Sequence, residues 1–178
     1  HQRTMANLEC MLKGGVADLY RIVGPEYMTP PYLPPTYFKQ FVYPYVKEMT
    51  QMIQSYGGKG RIHSHGRIGK LVDIIKGIEA DAIDPCEGPP DGDISLAETK
   101  KLLGNKMCIF GNIQLKLLEN GTTDEVRQQV KKCMAAAKEG GRYVIMPTAS
   151  PINIPLSPKT EKNYKAFIDT ALEFGRYE

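Results

Sequence analysis

Apolar positions change period along the chain, and each change marks an element. "ANLECMLKGG" reads as the end of a helix stopped at Gly14 and Gly15. "ADLYRIVG" is a short strand-like run, and "GPEYMTPPYLPP" is a loop whose prolines exclude regular structure. "TYFKQFVYPYVKEMTQMIQSYGG" returns to helical spacing, with Pro44 expected to kink or divide it. From there strands and helices alternate. "GRIHSH" is a strand and "RIGKLVDIIKGIE" a helix. "ADAIDP" is a strand, and "SLAETKKLLG" a helix opened by a capping box, Ser95 with Glu98. "KMCIFGNI" is a strand, and "TTDEVRQQVKKCMAAAKEGG" a helix capped by Thr122 with Glu125. "RYVIMPT" is the last strand. "SPKTEKNYKAFIDTALEFG" closes as a helix, with Ser157 at the N-cap and Pro158 at the first helical position.

The order is βα repeated five times, which predicts an α/β fold with a parallel sheet covered by helices. The long, chemically rich loops, "DPCEGPPDGD" and "PTASPINIPLSP", follow strands, whereas helix-to-strand connections are short and marked by glycine. Rich loops at one end only are the habit of a (β/α)8 TIM barrel at its active face. A Rossmann-type sheet competes, but no GxGxxG follows any strand. The expectation is one domain over 1–178, the C-terminal part of such a barrel in about five βα units. Five strands do not close eight. Either about three units are missing at the N-terminus, which a first residue His1 in place of Met fits, or a partner, a second copy in a homodimer among them, supplies them. An open five-stranded sheet would expose two edges and an uncovered inner face.

Composition narrows the class. A chain 42% hydrophobic and 24% charged folds as a globular domain and is not disordered. A formal charge of +3 with no basic cluster argues against nucleic acid as a partner. No apolar run is long enough for a membrane span and no signal peptide is seen, so no membrane partner is expected. The four cysteines, Cys10, Cys86, Cys108 and Cys133, form no CxxC and read as reduced thiols of a cytoplasmic protein.

Chemistry concentrates in "GRIHSHGRIG", which holds two of the three histidines. Residues two apart on a strand share a face, so His63 and His65 point the same way. Together they are half of a metal site, or two neutral rings bonded to loop carbonyls that orient a substrate. Asp84 and Glu87 bracket the next strand end at a spacing suited to acid–base work or ligation. Glu26 in "GPEY" is a base, a ligand or a cap. Arg67 clamps an anion or opens a helix in solvent, and Arg61 flanks the histidines on their other side. Asn112 ends a strand where it could orient substrate by hydrogen bonds. Tyr27, Tyr32 and Tyr37 form a lid wall or pack on the prolines. Asp91 and Asp93 order a turn and a helix start.

"GPEYMTPPYLPPTYFKQFVYPYVKEM", "GGKGRIHSHG", "DAIDPCEGPPDGDISLAETKKLLGNKMCIFGNI" and "SPKTEKNYKAF", in that order, resemble the C-terminal half of the uroporphyrinogen decarboxylase-like superfamily. The resemblance implies a (β/α)8 barrel and an enzyme, with two chemistries in view. Methyltransferase members carry His-x-Cys-Gly at this strand end and a later cysteine, together holding zinc. Here His63 matches the histidine, His65 stands at the cysteine, and the later position falls near Ala149 or Ser150. A replacement metal set would be His63 and His65 with Glu87 or Cys86.

The first expectation is therefore metal-assisted methyl transfer between a small methylated or thiol substrate and a corrinoid carried by a partner protein. Zinc would be the metal, Glu26, Asp84 and Glu87 the catalytic carboxylates, and Arg67, Asn112 and Tyr27 the substrate contacts. The alternative is cofactor-free decarboxylation of the acetate arms of a tetrapyrrole. True decarboxylases carry a histidine in the loop after the last strand, and "MPTASPIN" has none. A barrel that binds a tetrapyrrole without turnover is the third possibility.

Overall fold

A computed structural model describes residues 1–177. The elements are α1 (Gln2–Lys13), β1 (Leu19–Ile22), α2 (Pro35–Phe41), α3 (Tyr43–Ser55), β2 (Lys59–His63), α4 (Val72–Ile78), β3 (Ala82–Asp84) and α5 (Leu96–Leu103). There follow β4 (Cys108–Ile113), α6 (Leu115–Asn120), α7 (Thr123–Ala137), β5 (Tyr143–Pro147) and α8 (Pro158–Phe174). Pro44 divides the long second helix into α2 and α3, because its ring cannot sit inside a continuous hydrogen-bond ladder. Both capping boxes form, Ser95 with Glu98 and Thr122 with Glu125. Ser157 accepts from the Thr160 N–H ahead of Pro158. Three details depart from the sequence reading, the first being that the helix expected from Arg67 starts only at Val72, after a 3₁₀ turn over Gly69–Leu71. The proline-rich loop contains a 3₁₀ turn, Pro25–Met28, since proline is tolerated in a first helical turn. The short helix α6 after β4 was not anticipated.

The five strands are all parallel and lie in the order β1-β2-β3-β4-β5. Parallel strands laid down in sequence, each joined by a crossover of the same hand, place the connecting helices on one face. A doubly wound sheet would reverse its strand order, and this one does not. The result is an α/β sheet consistent with part of a (β/α) barrel.

Register explains the two faces. Ile22, Ile62, Ile83 and Ile109 are partners in one row across four strands, and all are buried against the helices. With Phe38, Ile53, Leu71, Ile75, Ile78, Leu103, Val126 and Val130 they form the core. The alternate row points the other way: Arg21, Arg61 and Ala82 in register, then His63 beside Asp84. On that face Leu19 and Val144 are 42% and 41% exposed. One sheet face thus carries the core, and the other carries the polar residues.

Candidate functional site

On the face away from the helices, the C-terminal ends of β1, β2 and β3 form the polar wall of a cleft of about 760 Å³. Its residues are Arg21, Arg61, His63, His65 and Asp84. The end of β5, the loop after it and the side of α8 form the opposite wall, mostly apolar, with Met146, Pro151, Ile154, Leu156 and Tyr164. Asp84 is fully buried at the floor. Its Oδ2 takes the Arg21 Nε–H at 3.0 Å and lies 3.5 Å from Arg61 Nε, while Oδ1 is 2.8 Å from His63 Nδ1. The same His63 nitrogen stands 2.6 Å from Arg21 Nη2. One ring nitrogen either donates to the carboxylate or accepts from the guanidinium, so the proton on His63 is set by these two neighbours. Two arginines share one carboxylate here, and the cluster keeps a positive charge. The Arg61 guanidinium also lies over the Phe110 ring, 4.7 Å from its centre, which fixes its plane.

His65 lies just past the end of β2, yet its ring meets the His63 ring edge-on with centres 4.6 Å apart. The pair shares one side, as the alternation of a strand requires. His65 Nδ1 is 3.1 Å from Glu87 Oε1, and the other Glu87 oxygen takes the Gly66 N–H at 2.9 Å. The hydrogen bond to Glu87 holds the His65 imidazolium above its ordinary pKa, outweighing half-burial. Burial alone would raise Glu87, but the bonds from His65 and Gly66 prevail and keep its carboxyl below the usual range.

Three loops interlock behind this pair. Ser64 is buried with its hydroxyl 2.6 Å from that of Thr29, and Thr29 donates to the Pro25 carbonyl. The Arg67 N–H donates to the Pro30 carbonyl at 2.7 Å. Gly66 adopts φ +93, and a Cβ on it would sit 2.6 Å from the Pro30 oxygen. Only glycine fits there without displacing the β1 loop.

Of the residues picked from sequence, His63, His65 and Asp84 line the cleft, and Glu87 joins through His65. Glu26 accepts the Gly24 N–H at 2.7 Å and so orders its own loop, near enough for its charge to favour the His65 imidazolium. The others lie elsewhere. Asn112 turns toward the helices, donating to the Cys86 carbonyl and accepting from the Cys133 thiol. Tyr27 is 71% exposed and does not line the cleft. Arg67 lines a separate cavity with prolines. Cys86 is buried with its thiol toward the Ile83 carbonyl, and burial pushes that thiol's pKa far up. Arg21 was missed. Its signal was the alternation in "LYRI", where a lone charged residue between two core residues must face the open side.

The donor set fits zinc in part. His65 Nδ1 and Glu87 Oε1 stand at a separation two ligands of one ion share, but His63, with Nδ1 on Asp84, has its Nε2 only 3.4 Å from the Arg21 guanidinium, a cation where the ion would sit. Among the described residues no three His, Cys, Asp or Glu side chains come together as a metal site. As arranged, these residues do not complete the site expected from His63, His65 and Glu87. No helix among the described residues is long and apolar enough to cross a membrane.

The profile of the uroporphyrinogen decarboxylase family, URO-D, matches residues 13–174. No curated protein matches the sequence. Among solved structures, a thiamine phosphate pyrophosphorylase from Pyrococcus furiosus is similar over 92% of this chain and 88% of its own, at 15% identity and a TM-score of 0.35.

Proposed function

The chain belongs to the uroporphyrinogen decarboxylase family, and on that premise we propose that its cleft binds a carboxylate-bearing substrate and decarboxylates it by general-acid chemistry, without a cofactor. The observation that carries this reading is the pair of guanidinium groups on one wall: Arg21 and Arg61 converge on the single carboxylate of Asp84, with His65 and its partner Glu87 beside them. Arg21 and Arg61 present guanidinium groups that suit a carboxylate, and Asp84 orients them from below. His65, held protonated by Glu87, is the proton donor. Protonation of an electron-rich ring carbon, as on a pyrrole, makes the ring an electron sink. The bond to the departing carboxylate then breaks, its electron pair enters the ring, and carbon dioxide leaves. The methylene carbon left behind takes a proton, and the ring carbon returns the one it received.

Incubation with uroporphyrinogen, followed by chromatography of the oxidised products, tests this. The expected result is stepwise loss of acetate carboxyls, reduced at least about a hundredfold in His65→Ala, the lower end of what a general acid contributes. Unchanged uroporphyrinogen, or full activity in His65→Ala, overturns it.

A second reading, methyl transfer involving a corrinoid-bearing partner, is favoured by the 3.1 Å spacing of His65 and Glu87. It needs the Arg21 guanidinium to move away from the His63 ring, with Asp84 left as the ring's hydrogen-bond partner. Stoichiometric zinc binding that is lost in Glu87→Ala supports it over decarboxylation, and absence of zinc binding removes it.

A further inference from the structure

A second cavity, of about 440 Å³, shares no residue with the catalytic cleft. Its walls come from the loops after β1, β2 and β3: Pro30 and Pro31, Arg67 and Lys70, and Pro89, Pro90, Gly92 and Asp93. Four of these are prolines, which lack an N–H and hold their backbone stiffly. The donors inside are therefore the two cationic side chains. The neighbouring acids are engaged elsewhere: Glu87 with His65, Asp73 with Lys76 and Asp91 with Lys116. Asp93 also lines the cavity, and its Oδ1 accepts the Gly69 N–H at 2.8 Å. Counting Arg67, Lys70 and Asp93, one positive charge stays uncompensated in a rigid recess.

We propose that this cavity is a second binding site, for a small oxyanion group (carboxylate or phosphate) held by the Arg67 fork with Lys70 beside it. A guanidinium matches two oxygens of such a group at once, and the ammonium adds charge without demanding a geometry. The cavity is roomier than a bare ion needs, so the group enters with an organic body lying against the proline rings. The walls are also those that carry the cleft's acid. Arg67 follows Gly66, whose N–H holds Glu87, and a Cβ on Gly92 would sit 1.8 Å from the Glu87 carbonyl oxygen. An anion bridging Arg67 and Lys70 therefore ties down the segment that positions His65 and Glu87.

The test uses the whole chain and no turnover, so it stands apart from the decarboxylation assay. Inorganic phosphate and acetate are titrated separately, with binding followed by calorimetry and by the backbone amide resonances of residues 66–70 and 89–93. Saturable binding of at least one probe is expected. It should weaken about tenfold in Arg67→Ala, the effect of losing one charged hydrogen-bonding partner, and persist in Arg61→Ala. Arg67 is exposed, so Arg67→Ala folds, and a parent-like circular dichroism spectrum qualifies Arg61→Ala, whose residue is half-buried beside Asp84. Phosphate binding alone marks a phosphoryl ligand, and acetate binding alone a carboxylate. Failure of both probes to bind, no change in Arg67→Ala, or loss in Arg61→Ala overturns the site.

Discussion

Asp84 shows what a single side chain settles here. It is fully buried, and Arg21, Arg61 and His63 all converge on it. Replacing it with Asn keeps the shape and removes the charge, leaving two guanidinium groups to repel. Removing one partner of a buried pair costs about 3–5 kcal/mol, and the partial exposure of Arg21 brings the expected loss for Asp84→Asn to about 2–3 kcal/mol. Urea unfolding measures it, and a loss below about 0.5 kcal/mol, within the range of ordinary surface changes, would refute the role. The His65–Glu87 pair makes a second prediction, through pH. His65 has a folded pKa above its ordinary 6.5, so its contribution to stability is complete below 6.5 and fades as pH rises through the raised value. Glu87 lies below its ordinary 4.5, so its contribution is complete above 4.5 and fades as pH falls through the lowered value. The Tm difference between the parent chain and Glu87→Gln should therefore be largest between pH 4.5 and 6.5 and shrink on both sides. A difference flat with pH would show that the ion pair is not formed.

Among the elements, strands and caps were legible and the loops between them were not. The alternation "RIH" fixed which residues of β2 face the open side, so the His63 and His65 pairing followed from local chemistry. Glu87 was within reach of that logic, because the next parallel strand must end beside it. Arg21 was legible only in part: the alternation in "LYRI" puts it on the open face, but its proximity to Arg61 depends on the register of β1 on β2, which no local pattern states. The partners of Asn112 were out of reach for the same reason: its side chain meets the Cys86 carbonyl and Cys133 on α7, contacts made only in the folded chain. The interlock of the β1 and β2 loops carries the prediction proper to this scale. Gly66→Ala forces a Cβ against the Pro30 oxygen at a positive φ and should cost about 1–3 kcal/mol. It should also displace the Gly66 N–H from Glu87, so the His65 resonance titrates at lower pH in the variant than in the parent. Parent-like stability with an unchanged His65 titration would show that the loops move independently.

At the scale of the molecule, the sequential strand order leaves one sheet face mostly uncovered among the described residues, with only the side of α8 against the cleft, and that face is not wholly polar. Leu19 and Val144 are more than two-fifths exposed there, on the same face as Phe110, which lies under Arg61, and Met146, which lines a cleft wall. Among the described residues the outer strands β1 and β5 each pair on one side only, so they offer backbone groups to a further strand. Exposed apolar surface beside free strand edges favours association, and this chain in isolation is expected to self-associate as its concentration rises. Val144 offers the cleanest test. It is on an edge strand, its side chain is away from the core, and it lies outside the candidate cleft. Val144→Lys should shift sedimentation-velocity profiles toward the monomer while changing unfolding free energy by no more than about 0.5 kcal/mol, as surface substitutions do. A parent chain that sediments as a monomer at every concentration, or a variant that associates as strongly as the parent, would show that the uncovered face is not the driving surface. Charge placed there blocks association without touching the isoleucine row, because the two faces of this sheet are built from alternate residues of the same strands.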